Sequence, residues 1–368
     1  GAFARDIRLG MKEYFKSTQS RQGGAAMIRK SLFMLALYLI PLAILIFGAP
    51  LETRYVFALY LISGLGMAGV GMNIMHDALH GSYSHIPWLN KLMSYSINLI
   101  GASASVWKIQ HNVLHHTYTN VAGADDDLNT NFLLRFSPDK PWHSIHKFQF
   151  IYAWLMYGMM TMQWVTVRDF VRMKQYRKMG FYEKPYEYQK KFMVTLMWKV
   201  IYFGFSLVLP MVMLAQPWWI VLLAFLSMHF ITGSIISIVF ETAHITPSAE
   251  YPQPDKDGNI DDHWYVHQLV TTCNFAPKGR LFSWCIGGLN YQIEHHLMPN
   301  VSHVHYRGLS KMVRDTAEKH GLPYYTHRTF ADAVKAHLQK LKDLGQPAAD
   351  PNYSQSTQAT GLGALMKL

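Results

Sequence analysis

The chain of 368 residues is short of charge and nearly without cysteine. Asp, Glu, Lys and Arg make up 15% of it, against about 25% in an ordinary soluble domain. That deficit argues against a soluble globular fold and toward lipid. The charge that remains is lopsided, at +11 formally. A basic balance suits nucleic acid or an anionic membrane surface, and the long apolar runs favour the membrane. Cys273 and Cys285, with eleven residues between them, are too few for a disulfide framework or a thiolate metal site. They read most simply as two buried small hydrophobes.

What the chain has in abundance is apolar surface: half its residues are hydrophobic, with 21 Met and 14% aromatics. Crossing a bilayer takes about 20 apolar residues. Ser31–Ala49, Tyr55–Met75, Phe192–Ala215 and Pro217–Phe240 qualify, and the turns "PLETR" and "AQPW" make each consecutive pair a tight hairpin. Lys199, near the start of the third, is expected to snorkel to the interface. Residues 1–30 hold seven Lys/Arg and residues 168–191 hold eight, so both basic segments are expected in the cytoplasm. A fifth apolar stretch, Phe148–Val167, would break this parity if it crossed. It is therefore read as lying in the interface, and Leu89–Trp107 likewise. The expected fold is all-α and integral to the membrane: four transmembrane helices as two hairpins, with a cytoplasmic helical cap. The cap would contain a polar loop over 245–262 and an amphipathic helix over Thr329–Leu344. Residues 1–345 form one domain on this reading, and 346–368, rich in Gln, Ala, Pro, Ser and Thr, a loose tail.

Three histidine clusters need a chemical reason: "HDALH" at 76–80, "HNVLHH" at 111–116 and "QIEHH" at 292–296. On an α-helix, residues four apart share a face, so His76 pairs with His80 and His111 with His115, while His116 is rotated by about 100°. His295 and His296 add two adjacent donors. With four crossings all three clusters meet on one side of the membrane. A single HxxxH pair is more often packing than a site; three clusters together read as a metal centre. Seven imidazoles exceed the three or four ligands of one zinc ion and imply two metals. Nitrogen donors without thiolates suit Fe, Cu or Zn. Two redox metals beside hydrocarbon suggest O2 activation and attack on an unactivated C–H bond.

The order HxxxH, HxxxHH, QxxHH with four spans resembles the integral-membrane fatty acid desaturases, over about residues 55 to 310. The Gln that opens the last box is similar to the front-end subgroup, which places a double bond between an existing one and the carboxyl end. The resemblance implies two iron ions held by the box histidines, O2 as co-substrate, and His244 in "ETAHI" as a further ligand. It leaves open whether Gln292 binds iron directly, through water or not at all. The substrate would be a fatty acyl-CoA or acyl-lipid. No HPGG haem motif of a fused cytochrome b5 occurs in the chain, so electrons are expected from a separate carrier of cytochrome b5 or ferredoxin type. The short amino-terminal segment hints at a bacterial inner membrane. A hydroxylase or ketolase with the same boxes is the nearest rival, and a metal transporter a remote one, since only His229 lies at mid-span.

Other residues carry weaker signals. Asp77 and Glu294 are expected to accept the second ring N–H of a ligand histidine. Trp107, Lys108 and Gln110 precede the second box, and Asp125, Asp126, Asp127 and Asn129 follow it; tunnel or substrate contacts compete here with interface anchoring and a solvated turn. Asn274 is equally ambiguous. His229 reads as a hydrogen-bonded structural group. His143, His146, His263, His267, His303 and His305 read as surface residues. The basic run 168–191 suits lipid headgroups.

Overall fold

A computed structural model describes residues 1–347 except 19, 49, 131, 257, 258, 261 and 262. Most of the expected loose tail thus lies outside the described residues. The chain is all-α. Among the described residues, four helices are long and apolar enough to cross a membrane. The elements that matter for the site are α1 (Ala2–Thr18), α2 (Gly24–Phe47), α3 (Thr53–Leu79), α4 (Gln149–Gln163), α5 (Pro185–Met213), α6 (Trp218–His244), α7 (Trp264–Val270), α8 (Gln292–Leu297), α9 (Tyr306–Lys319) and α10 (Phe330–Leu344). Helices α2/α3 and α5/α6 form the two hairpins.

Hydropathy alone places the spans but misses their reach. All four continue further toward the histidine clusters than their apolar runs do, α2 beginning at Gly24 ahead of Ser31, because helical hydrogen bonding carries on after hydrophobicity has ended. Thus α3 runs to Leu79 and α6 to His244, while α5 begins at Pro185. Helix α3 crosses α2 at close range: a Cβ on Gly66 would collide with the Tyr38 backbone nitrogen. Small residues at such a crossing let dispersion act where no hydrophobic force separates helix from lipid.

Helix α4 continues through a π-turn, Trp164–Arg168, into Asp169–Lys178. It packs antiparallel on α6, where the Thr161 hydroxyl donates to the His229 carbonyl at 2.9 Å. His229 is itself bonded to the Tyr202 hydroxyl at 2.7 Å, in keeping with a structural role. Lys199 does not snorkel. It is 5% exposed and donates to Asp169 (2.8 Å) and to the carbonyls of Gly101 (3.0 Å) and Trp164 (2.6 Å). A carboxylate close at hand satisfies the ammonium better than a long reach to water.

The cap is built on apolar faces. Phe3, Ile7 and Met11 of α1 pack on Leu309 and Val313 of α9. Helix α10 starts in a capping box, with Thr329 and Asp332 each accepting from the other's backbone N–H. It buries Ala333, His337, Leu341 and Leu344. A short parallel pair, β1 (Asn274–Phe275) and β2 (Thr326–His327), ties the segment before α8 to the approach to α10. Cys273 is buried as expected, but Cys285 is exposed.

Candidate metal centre

The three clusters converge. His76 and His80 stand at the end of α3, and His295 and His296 on α8. The second box forms a π-helical turn, Lys108–His115, rather than an α-helix. This wider turn changes the expected geometry. His111 meets His116 across it, Nε2 to Nε2 at 3.2 Å, while His115 stacks on His111, ring centroids 5.2 Å apart, and also meets His244 and His296. Turns of this kind recur at functional sites because one extra residue re-aims the side chains that follow.

Two groups result. The nitrogens of His76, His80, His111 and His295 lie within 4.8 Å of one another. So do those of His115, His244 and His296. His116 belongs with His295 and His296 in a third grouping, with ring centroids 4.6 and 4.4 Å away, and so stands between the first two. Nitrogen ligands of a single ion about 2.1 Å away stand about 3.0–4.2 Å apart, so small rotamer shifts close either group on a metal.

The donor chemistry fits. His76, His80, His115, His244, His295 and His296 each have Nε2 buried without a hydrogen-bond partner, and His116 has Nδ1 so. One buried polar atom without a partner costs about 1–3 kcal/mol, and seven aimed at one another imply something absent that accepts their lone pairs. The opposite ring nitrogens are held. His115 Nδ1 lies 3.1 Å from both Asp125 oxygens, and His296 Nδ1 is 2.7 Å from Gln268 Oε1. His295 Nδ1 is 3.1 Å from the Tyr306 hydroxyl, and His244 Nδ1 is 3.3 Å from the Thr271 carbonyl. Such partners orient a ligand histidine and set its tautomer.

Electrostatics point the same way. Burial and facing imidazoles hold His116, His295 and His296 well below the usual histidine range, leaving neutral rings. Burial also opposes charge on His115, but the Asp125 and Asp127 carboxylates outweigh it and raise that ring to about 9. His115 therefore sits where the surrounding carboxylates call for positive charge.

Several expected contacts fall elsewhere. Asp77 accepts from His303 Nδ1 (2.9 Å) and the Ser302 hydroxyl (2.7 Å), so it joins the first box to the loop after the third instead of orienting a box histidine. Glu294 accepts from Asn274 Nδ2 (2.8 Å) and the Tyr324 hydroxyl (2.7 Å). Asn274 therefore does not reach the cavity described below; it fastens α8 to β1. His303, His146 and His267 are buried, at 6%, 0% and 2% exposure, not at the surface. His303 lies between Asp77 and Lys30, while His146 is 2.8 Å from the Phe132 carbonyl. The acidic turn is built in as well: Asp126 pairs with Arg172 at 2.7 Å, and Gln110 donates to Asp127 at 2.6 Å. Gln268, Thr271 and Tyr306 were not legible in advance, since nothing local marks a residue that serves a distant ring.

A cavity of about 500 Å³ opens beside the second group. Gly71, Met72 and Met75 of α3, Met156 and Met160 of α4, and Ile236 and Phe240 of α6 supply its apolar wall. His111, His115 and His244 border it, with Trp107, Asp125, Asp127, Asn129 and Glu241, and Arg168 and Arg172 line another part. Trp107 stacks on His111 at 4.2 Å between ring centroids. The volume falls in the usual range of about 300–1,000 Å³ for small-molecule sites.

Residues 52–328 match the family described as fatty acid desaturase. The chain is 34% identical over 285 residues to the sn-1 linoleoyl-lipid 6-desaturase of Arthrospira platensis, covering 77% of this chain and 76% of that one. It is 30% identical to the protein of the same name from Synechocystis, covering 78% and 79%. To the acyl-lipid (8-3)-desaturase of Physcomitrium patens it is 31% identical, covering 92% and 71%. Likeness of this extent shows that the chain belongs to the fatty acid desaturase family and is a membrane oxidoreductase.

Proposed function

We propose that the protein inserts a cis double bond into a long-chain acyl group, on the carboxyl side of one already present, and that the acyl group is carried on a lipid. The names of the relatives, linoleoyl-lipid and acyl-lipid desaturases, support this substrate class. The observation that carries the reading is the apolar cavity bordered by His111, His115 and His244. A hydrocarbon chain in that cavity lies against the metal-binding rings.

On this reading His76, His80, His111 and His295 hold one iron, and His115, His244 and His296 the other, with His116 between them. Gln292 is fully buried with both amide atoms unpartnered, which supports a water or metal contact there. The bound irons would supply the redox chemistry by which O2 attacks an unactivated C–H bond. The protein's own part is placement and exclusion. Met72, Met75 and Phe240 confine the chain, so regioselectivity is set by which carbons they leave beside the histidines. Arg168, on the cavity wall, suits an anionic headgroup, and the buried site keeps water from competing. Asp125 holds the tautomer of His115. Charge asymmetry supports a site on the cytoplasmic face of the membrane, and the two electrons that the acyl chain does not supply would come from a carrier.

The test is expression in cells supplied with polyunsaturated fatty acids, followed by iron analysis and lipid profiling. Products two hydrogens lighter, with the new bond nearer the carboxyl end, support the reading. Products heavier by one oxygen would make it a hydroxylase instead, and products that gain an oxygen while losing two hydrogens a ketolase.

A further inference from the structure

We propose that the surface formed by α1 and the start of α7 docks an acidic one-electron carrier protein, with Trp264 as the contact nearest the metal centre. This rests on the desaturation proposed above, whose balance needs such a partner. The reaction –CH2–CH2– + O2 + 2e⁻ + 2H⁺ gives –CH=CH– + 2H2O; the acyl chain supplies two of the four electrons that O2 takes up. Carriers supply the other two, each carrier being oxidised as it delivers one.

Three observations locate the surface. Trp264 is partly exposed, and its indole N–H donates to the main-chain carbonyl of His116 at 3.1 Å. His116 is the residue that stands between the two histidine groups. One hydrogen bond therefore separates a surface aromatic ring from the residue central to the site. Second, Tyr265 packs edge-on against Trp264 at 5.0 Å, and the Arg8 guanidinium lies 5.7 Å over the Tyr265 ring. Third, α1 is sorted by charge. At 3.6 residues per turn, Arg5, Arg8, Lys12 and Lys16 fall within a sector of about 80°. The acidic residues take the other flank, where Asp6 is bonded to Lys319 and His320 of the α9 side. Arg8 and Lys12 are exposed and form no ion pair among the described residues. Among the described residues the flank turned toward Trp264 is thus positive, which selects a partner of opposite charge and speeds its encounter.

The test uses the full chain in lipid nanodiscs and two acidic carriers as probes, the soluble domain of cytochrome b5 and a [2Fe–2S] ferredoxin. The double variant R8E/K12E is expected to weaken binding of the carrier by about tenfold at low salt, with a flatter salt dependence. W264F is expected to bind as wild type does but to slow reoxidation of the reduced carrier, read at the carrier's own absorbance. R8E/K12E reduced with dithionite is expected to form the double bond in one turnover as wild type does. If neither carrier binds wild type, or if R8E/K12E binds as tightly, the docking surface is overturned. Failure of dithionite-reduced wild type to form a double bond would overturn the desaturase reading itself.

Discussion

His111 and His116 bring their Nε2 atoms to 3.2 Å across the π-helical turn, and His115 between them in sequence faces the other histidine group. One turn thus feeds both proposed iron sites. His115→Ala should leave the first group intact, so purified protein should retain about one iron per chain instead of two. Desaturation should be lost while the thermal unfolding profile is kept. Full iron content with retained turnover would refute the ligand assignment.

The carboxylate behind His115 should matter nearly as much as the ring. Asp125 holds Nδ1 and also accepts from the backbone N–H of Asn120 (2.9 Å) and Asp127 (3.0 Å). Asp125→Ala should cut iron affinity by about 10–100-fold, measured by competition with a chelator. Asp125→Asn, which keeps an acceptor, should recover part of it.

Gly71 offers a graded probe of the cavity. A Cβ there meets Ile236 Cδ1 at 3.4 Å, ordinary contact, so Gly71→Ala should fold normally. A larger side chain would fill space beside the histidines. Gly71→Leu should lower turnover of long acyl chains more than of short ones, or move the double bond, as read by lipid profiling. An unchanged product spectrum would place the acyl chain elsewhere.

Lys199 and Asp169 bury opposite charges against the π-turn of a cavity-lining helix. Removing one partner leaves the other charge uncompensated, at a cost of about 3–5 kcal/mol. Lys199→Met should therefore lower the unfolding temperature markedly, and Lys199→Met/Asp169→Leu should recover most of the loss. Additive losses in the double variant would count against the pair.

Asp6 ties α1 to α9. Its hydrogen bonds from Lys319 and His320 hold the carboxyl below the usual range, at about 2. A carboxyl depressed in the folded state stabilises above its unfolded pKa of about 4 and loses that contribution as pH falls toward 2. Amide exchange in α1 should accelerate over that window more in wild type than in Asp6→Asn. Equal acceleration would show that the tether is not electrostatic.

The sequence by itself determined the membrane class, the four crossings and the residues able to bind metal. Those depend on runs of apolar side chains and on imidazole chemistry, both local properties. Only the tertiary structure decided how the imidazoles divide. The π-turn in the second box depends on packing around it; it keeps His115 stacked on His111, as α-helical spacing expects, and also brings His116 back to His111. The same holds for Lys199, Asp77, Glu294 and His303, whose partners come from 20 to 273 positions away in the chain. A buried charge needs a partner, but which one it finds is a matter of how the helices pack.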